Sequence, residues 1–85
     1  MPYSIEFRPS AARDLKKLEK ATQRRIFAAL SQLENNPFPP GAKKLINEDN
    51  VYRIRVGDFR ILYQVESGRL LILVLRVGHR REVYR

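Results

Sequence analysis

The sequence predicts an α+β fold, in which a small antiparallel-rich sheet carries a helical hairpin on one face. Two observations support this prediction. Apolar residues recur at helical spacing between about 10 and 35, whereas after residue 50 apolar and polar residues alternate as they do in strands. The element order is therefore β-α-α-β-β-β. With 85 residues, we expect a single domain spanning 1–85.

The first half of the chain supplies one strand and both helices. Residues 3–7 alternate and form a short strand. Ser10 is the expected N-cap of the first helix, whose apolar stripe comprises Ala11, Leu15 and Leu18. A second helix is expected from Thr22 to Asn35, where a proline-rich loop at 37–41 stops it.

The second half of the chain has β character throughout. Three strands are predicted, Val51 to Val56, Phe59 to Glu66, and Arg69 to Val77. Two-residue hairpin turns, Gly57-Asp58 and Ser67-Gly68, are expected to join them.

The hairpin turns fix which arginines share a face. A turn at Gly57-Asp58 sets Arg55 opposite Arg60 and places Arg53 on the same face. A turn at Ser67-Gly68 would set Leu75 opposite Arg60 as well, and would bring His79 to that face. Because two arginines directly opposite each other repel, their pairing favours a site that binds phosphate.

Leucines accompany the arginines on the face that the helices leave uncovered. The set is Leu62, Leu71, Leu73 and Leu75. An exposed apolar patch of this kind is typical of a partner surface. We therefore expect a second polypeptide, or the C-terminal tail of the chain, to cover part of it.

The charge balance narrows the class of partner. The chain has 17 Lys and Arg against 9 Asp and Glu, a net charge of +8, which favours a polyanion. With no cysteine and one histidine, we expect no metal site and no cofactor. No apolar run is long enough to span a membrane and no signal-peptide pattern is present, so a cytoplasmic protein without a membrane partner is expected.

The C-terminal residues 77–85 combine the groups that metal-free RNA cleavage needs. Attack by a 2′-hydroxyl on the adjacent phosphate requires a base, cations and an acid. His79 is suited to proton transfer near neutral pH, and Tyr84 could transfer a proton or stack on a base. Which of His79, Tyr84 and Glu82 acts as base and which as acid stays open.

Four segments carry a resemblance to the RelE/ParE superfamily of toxins from type II toxin–antitoxin systems, and more closely to its RelE branch. They are residues 9–18, 44–45, 52–63 and 77–84. The resemblance implies a RelE-like fold and a ribosome-dependent endoribonuclease, an mRNA interferase that cuts mRNA in the A site and inhibits translation. It also implies an inhibitory antitoxin, the 70S ribosome as partner, and operator DNA bound only through the antitoxin complex.

The resemblance also assigns roles to residues of this chain. It implies that Arg53, Arg55, Arg60 and Arg80 hold the scissile phosphate, and that His79 and Tyr84 provide proton transfer and base stacking. Lys43, Lys44 and Arg81 are expected to help bind the substrate. Family members have lysines where Arg53 and Arg55 stand. Since arginine is a poor base, a lysine's role as base would pass to His79 here.

Two alternatives to mRNA cleavage stay open. One is a ParE-like inhibitor of DNA gyrase, a binding function with the same fold and without RNA chemistry. The other is a non-catalytic binding module that acts through its partner. The sequence does not determine the codon preference, the antitoxin, the oligomeric state of the free toxin or whether the chain is active.

Overall fold

A computed structural model of the chain describes residues 2–79 and confirms the α+β prediction. Within these residues, five strands form one mixed sheet in the order β1-β5-β4-β3-β2. The β1 and β5 strands pair in parallel and the other neighbours pair antiparallel. Two helices pack on one face of the sheet.

The element bounds follow the predicted order with one addition. The strands are β1 (Ser4–Phe7), β2 (Lys43–Lys44), β3 (Val51–Val56), β4 (Phe59–Glu66) and β5 (Leu71–His79). The helices are α1 (Pro9–Lys16) and α2 (Lys20–Asn35). The short β2 was not predicted, because two lysines after a proline-rich loop carry no strand pattern. It forms by pairing with Tyr52 and Arg53.

The start of α1 differs from the prediction. Arg8 occupies the N-cap position and Pro9 begins the helix, so the assignment of Ser10 as N-cap was wrong. Proline suits the first helical position because it has no N–H to leave unpaired and its φ is already helical. The Ser10 hydroxyl instead donates a hydrogen bond of 2.9 Å to the Leu75 carbonyl of β5.

The β3–β4 hairpin has the predicted register. Val56 pairs with Phe59 and Arg55 with Arg60 across the Gly57-Asp58 turn. Gly57 has a φ of +62°, a left-handed conformation that glycine adopts at little cost.

The connection from β4 to β5 is longer than predicted. A 3-10 turn covers Ser67–Arg69, and Leu70 follows with a φ of +51°, so Glu66 pairs with Leu71. The two-residue Ser67-Gly68 turn was therefore wrong. The left-handed residue that closes the connection is Leu70, whose N–H bonds the Ser67 carbonyl.

A β-bulge further shifts the pairing of β4 with β5. Tyr63 pairs with Val74 but Leu62 pairs with Arg76, so Leu75 is an extra residue on β5. Beyond this point every residue of β5 lies on the face opposite to the one that an unbroken ladder would give it.

The core lies between the helices and the face of the sheet that carries Ile54, Ile61 and Ile72. The Tyr63 ring is fully buried there, and its hydroxyl donates a 2.8 Å hydrogen bond to the Pro37 carbonyl. Burial, with a smaller contribution from the charge of Tyr52, raises the pKa of Tyr63 to about 12. Tyr63 thus anchors the loop that leads to β2. Neither helix within residues 2–79 combines the length and the apolar character that crossing a membrane would need.

Candidate phosphate-binding site

Two rows of basic residues cross the sheet on the face away from the helices. In one row Lys43 pairs with Arg53, which pairs with Leu62. In the next row Arg55 pairs with Arg60. Directly opposite residues of an antiparallel ladder project to the same side, so the predicted grouping of Arg53, Arg55 and Arg60 is confirmed, and Lys43 joins it.

The three arginines differ in exposure. Arg60 is 6% exposed, Arg53 is half-buried and Arg55 is exposed. Arginine stays protonated in proteins, and a charge is costly to bury. Three guanidinium groups at graded depth can therefore stabilise an anion that reaches the sheet, and their paired N–H donors match phosphate oxygens.

A cleft of about 400 Å³ opens beside Arg53 and Arg55. Part of its lining comes from α2 and the proline-rich loop, namely Ala29, Gln32, Leu33, Pro39, Pro40 and Gly41. The rest comes from the sheet edge, namely Lys43, Arg53, Ile54 and Arg55. The cleft therefore has a basic side and an apolar side, which suits a ligand with a phosphate and a ring.

The residue opposite Arg60 on β5 is Gly78 and not the predicted Leu75. The bulge at Leu75 is the cause, together with the longer β4–β5 connection. Glycine has no side chain, so β5 places no side chain directly opposite Arg60, and both residues are buried.

His79 lies on the opposite face from the arginines, contrary to the prediction. It pairs with Phe59, and the two rings meet edge to face with centroids 5.9 Å apart. The extra residue in β5 reverses the side to which His79 points. His79 and Arg60 nevertheless occupy adjacent rows at the same end of the sheet, next to the Gly57 turn.

Arg25 is a cation near this end that sequence reasoning missed. Its guanidinium lies against the β3–β4 turn, where Nη2 would be 2.7 Å from a Cβ atom placed on Gly57. The helical pattern of the sequence gives Arg25 no role at the site. Its position next to Ile26, a fully buried residue of α2, was the available signal that it borders the sheet.

The remaining candidate residues fall into two groups. Lys44 is exposed and pairs with Tyr52, one row from Lys43 and on the other side of the sheet. Arg80, Arg81, Glu82 and Tyr84 lie outside the described residues. Their roles therefore stay predictions.

The leucines of the arginine face are less exposed than expected. Leu71 is 5% exposed, and Leu62 and Leu73 are half-buried on the face of Arg60. Leu75 is the extra residue of the bulge. Within residues 2–79, no group of three His, Cys, Asp or Glu side chains is arranged to hold a metal ion.

Comparison with known proteins gives a consistent family. The family model of the ParE toxin of the type II toxin–antitoxin system, parDE, matches residues 5–84. Toxin RelG of Mycobacterium tuberculosis is 32% identical over 90 residues, covering 100% of this chain and 99% of RelG.

Solved structures agree with the sequence comparison. In the toxin–antitoxin complex RelBE2 of Mycobacterium tuberculosis, one chain superposes with a TM-score of 0.83 at 30% identity, covering 94% of this chain and 100% of that one. A chain of the archaeal RelE–RelB complex of Pyrococcus horikoshii OT3 gives 0.83 at 29% identity, covering 96% and 99%. Both are complexes of a toxin with its antitoxin.

Proposed function

This chain belongs to the ParE toxin family of type II toxin–antitoxin systems and is RelE-like, and from that premise we propose that it is a ribosome-dependent endoribonuclease. It cuts mRNA in the A site by metal-free attack of a 2′-hydroxyl on the neighbouring phosphate: the 2′-oxygen loses its proton to a base, the bond from phosphorus to the 5′-oxygen breaks, and the leaving 5′-oxygen takes up a proton from an acid. The cut inhibits translation.

The pairing of Arg55 with Arg60 is the observation that carries the proposal. Two like charges opposite each other destabilise a sheet, and one of them is buried. A phosphorane gathers negative charge as the 2′-oxygen attacks, so fixed cations stabilise it more than they stabilise the starting diester. The Arg55–Arg60 pair therefore supports a role in catalysis beyond binding.

The other candidate residues complete the chemistry. Arg53, with Lys43 in the same row, binds the flanking backbone. Lys44 and Arg81 add weaker substrate contacts, and Arg80 adds a further cation. His79 and Tyr84 serve proton transfer and base stacking. His79 approaches this end of the sheet from the helix side.

The partners follow from the same proposal. The relatives solved with RelB antitoxins support a cognate antitoxin that holds the toxin inactive. The ribosome positions the mRNA in the A site. Operator DNA is reached through the antitoxin complex.

Primer extension on a translated mRNA after induced expression tests the proposal. We expect cuts in register with codons for the wild type and none for Arg60→Ala. Arg69→Ala is the matched control, because Arg69 is an exposed arginine at the other end of β4. Full toxicity of Arg60→Ala, or cuts without codon register, would overturn the proposal.

Inhibition of DNA gyrase is the second candidate, favoured by the ParE description of the matching family model. The same induction experiment separates the two functions. DNA breaks and an SOS response with mRNA uncut would support the gyrase inhibitor.

A further inference from the structure

Helix α1 holds three consecutive residues of β5 through two side chains. The Ser10 hydroxyl donates to the Leu75 carbonyl at 2.9 Å. The Asp14 carboxylate accepts from Arg76 Nε at 2.8 Å and from the Val77 backbone N–H at 2.9 Å. We call Ser10, Asp14 and these bonds the α1 clamp.

The α1 clamp sits at the β-bulge. Leu75 is the extra residue between the Tyr63–Val74 pair and the Leu62–Arg76 pair. A bulge leaves backbone groups that the ladder does not pair, and a buried group of this kind is costly unless another partner is supplied. Ser10 and Asp14 bond the backbone on both sides of Arg76, so they stabilise the bulged form over an unbroken strand.

The bulge decides what lies opposite Arg60. If the Tyr63–Val74 register continued unbroken, Val77 would lie opposite Arg60 and would leave the core, where it is 2% exposed. With the bulge, Gly78 lies opposite Arg60 and Val77 stays buried. The one-residue shift in register therefore places Gly78, in place of the branched Val77, opposite the buried Arg60.

The α1 clamp is charged at neutral pH. Burial alone would raise the pKa of Asp14, but hydrogen bonds from Arg76 and from the Val77 N–H, with the charges of Arg76 and Lys17, outweigh it and hold the pKa below 3.8. The ionised carboxylate accepts both bonds at once, which a neutral acid does less well.

We propose that Ser10 and Asp14 are positioning residues of the cleavage site, which hold the β5 bulge and so set the register of Gly78 against Arg60. This inference rests on the proposed endoribonuclease function. Neither residue touches the substrate in this proposal.

Single-turnover cleavage on programmed ribosomes, with the toxin varied up to saturating excess, tests the α1 clamp. For Asp14→Asn and Ser10→Ala we expect the saturating rate to fall at least tenfold, and the half-saturating concentration to change less than twofold. Both variants keep the two rows of basic residues, Lys43 with Arg53 and Arg55 with Arg60. Simple loss of folded protein would do the reverse, because excess toxin restores the rate and only the half-saturating concentration rises.

Two variants serve as controls. Ser10→Thr keeps a hydroxyl donor and should keep the wild-type rate. Glu19→Gln removes one carboxylate from an exposed position between α1 and α2 and should also leave the rate unchanged. If Asp14→Asn fails to fold, Ser10→Ala, which loses one hydrogen bond and no charge, tests the inference alone.

Nuclear magnetic resonance gives a readout that is independent of activity. Cross-strand proton contacts between Arg60 and Gly78 should be strong in the wild type and weakened in Asp14→Asn. A saturating rate within twofold of wild type despite loss of these contacts would overturn the inference, and so would a lost rate with the contacts intact. A wild type that shows the contacts but does not cut mRNA would instead overturn the proposed function, and the positioning role with it.

Discussion

Arg55 lies directly across the β3–β4 ladder from Arg60, whose side chain is 6% exposed. Directly opposite residues have Cβ atoms about 4.5–5.5 Å apart, and like charges at that spacing destabilise a sheet. The β3–β4 hairpin therefore contains a pair of residues whose like charges lower its stability. Stability and phosphate binding are therefore expected to respond in opposite directions when one of the two charges is removed.

Replacement of Arg55 by alanine should stabilise the protein and impair cleavage. Relief of the repulsion is expected to raise the free energy of unfolding by about 0.2–0.5 kcal/mol. Loss of one cation at the phosphorane should lower the cleavage rate by about 10²-fold. Urea unfolding and single-turnover cleavage measure the two effects.

Arg69→Ala is the control for this substitution. It removes an exposed arginine that pairs with Glu66 at 3.1 Å, an interaction worth about 0.2–1 kcal/mol, so stability should fall slightly and cleavage should not change. An Arg55→Ala variant that cuts mRNA as fast as wild type would contradict the catalytic role of the pair.

Ionisation of Asp14 should make the free energy of unfolding depend on pH in the acidic range. Its pKa lies below 3.8 in the folded state, so its stabilisation is complete well above that value and is lost as pH falls through the folded pKa. Asp14→Asn should cost about 1–2 kcal/mol near neutral pH, since bonds to a charged acceptor are strong but the Arg76 partner is half exposed. Thermal unfolding across pH should show the two proteins converging below pH 3.8. A constant difference at every pH would contradict the charged form of the α1 clamp.

The β3–β4 hairpin could be predicted from the sequence and the β4–β5 register could not. Gly57 supplies the left-handed residue that a tight turn needs, so the pairing of Arg55 with Arg60 depends on local sequence. The bulge at Leu75 depends on Ser10 and Asp14, more than 60 residues earlier in the chain. A period-two pattern in β5 contains no information about those partners.

The contrast between a register set by a local turn and one set by distant residues also explains which site residues were predicted wrongly. The arginines of β3 and β4 were placed correctly because one turn relates them. Leu75 and His79 were misplaced because their faces depend on the bulge. Arg25 was missed because its contact with Gly57 joins a helix to a turn, and helical periodicity alone does not give the neighbour of a residue at the border of the apolar stripe.

The exposed lysines of the helical hairpin should contribute to ribosome binding without affecting chemistry. Lys16 and Lys20 are exposed on the helix side of the sheet. Replacing both by glutamine should raise the half-saturating ribosome concentration. The slope of the logarithm of that concentration against the logarithm of the salt concentration should fall by about 0.7–0.9 per lost phosphate contact. The saturating rate should stay at the wild-type value.

The measurement is the half-saturating ribosome concentration, obtained from cleavage rates at several salt concentrations between low and moderate salt. Arg69→Gln, at the far end of the sheet from the β3–β4 turn, should leave the salt slope unchanged. A wild-type slope in the double lysine variant would show that Lys16 and Lys20 make no contact with ribosomal phosphate.

Gly57 should be sensitive to substitution where Gly68 is not. Gly57 has a φ of +62°, and a Cβ atom there would lie 2.7 Å from Arg25 Nη2. The guanidinium can swing aside, so the main cost is the left-handed backbone, about 1 kcal/mol for a residue with a Cβ atom. A Cβ atom at Gly68 would meet nothing within 4 Å. Urea unfolding should therefore show Gly57→Ala destabilised by about 1–2 kcal/mol and Gly68→Ala changed by less than about 0.5 kcal/mol. Equal effects at the two glycines would contradict this account of the turn that sets Arg55 opposite Arg60.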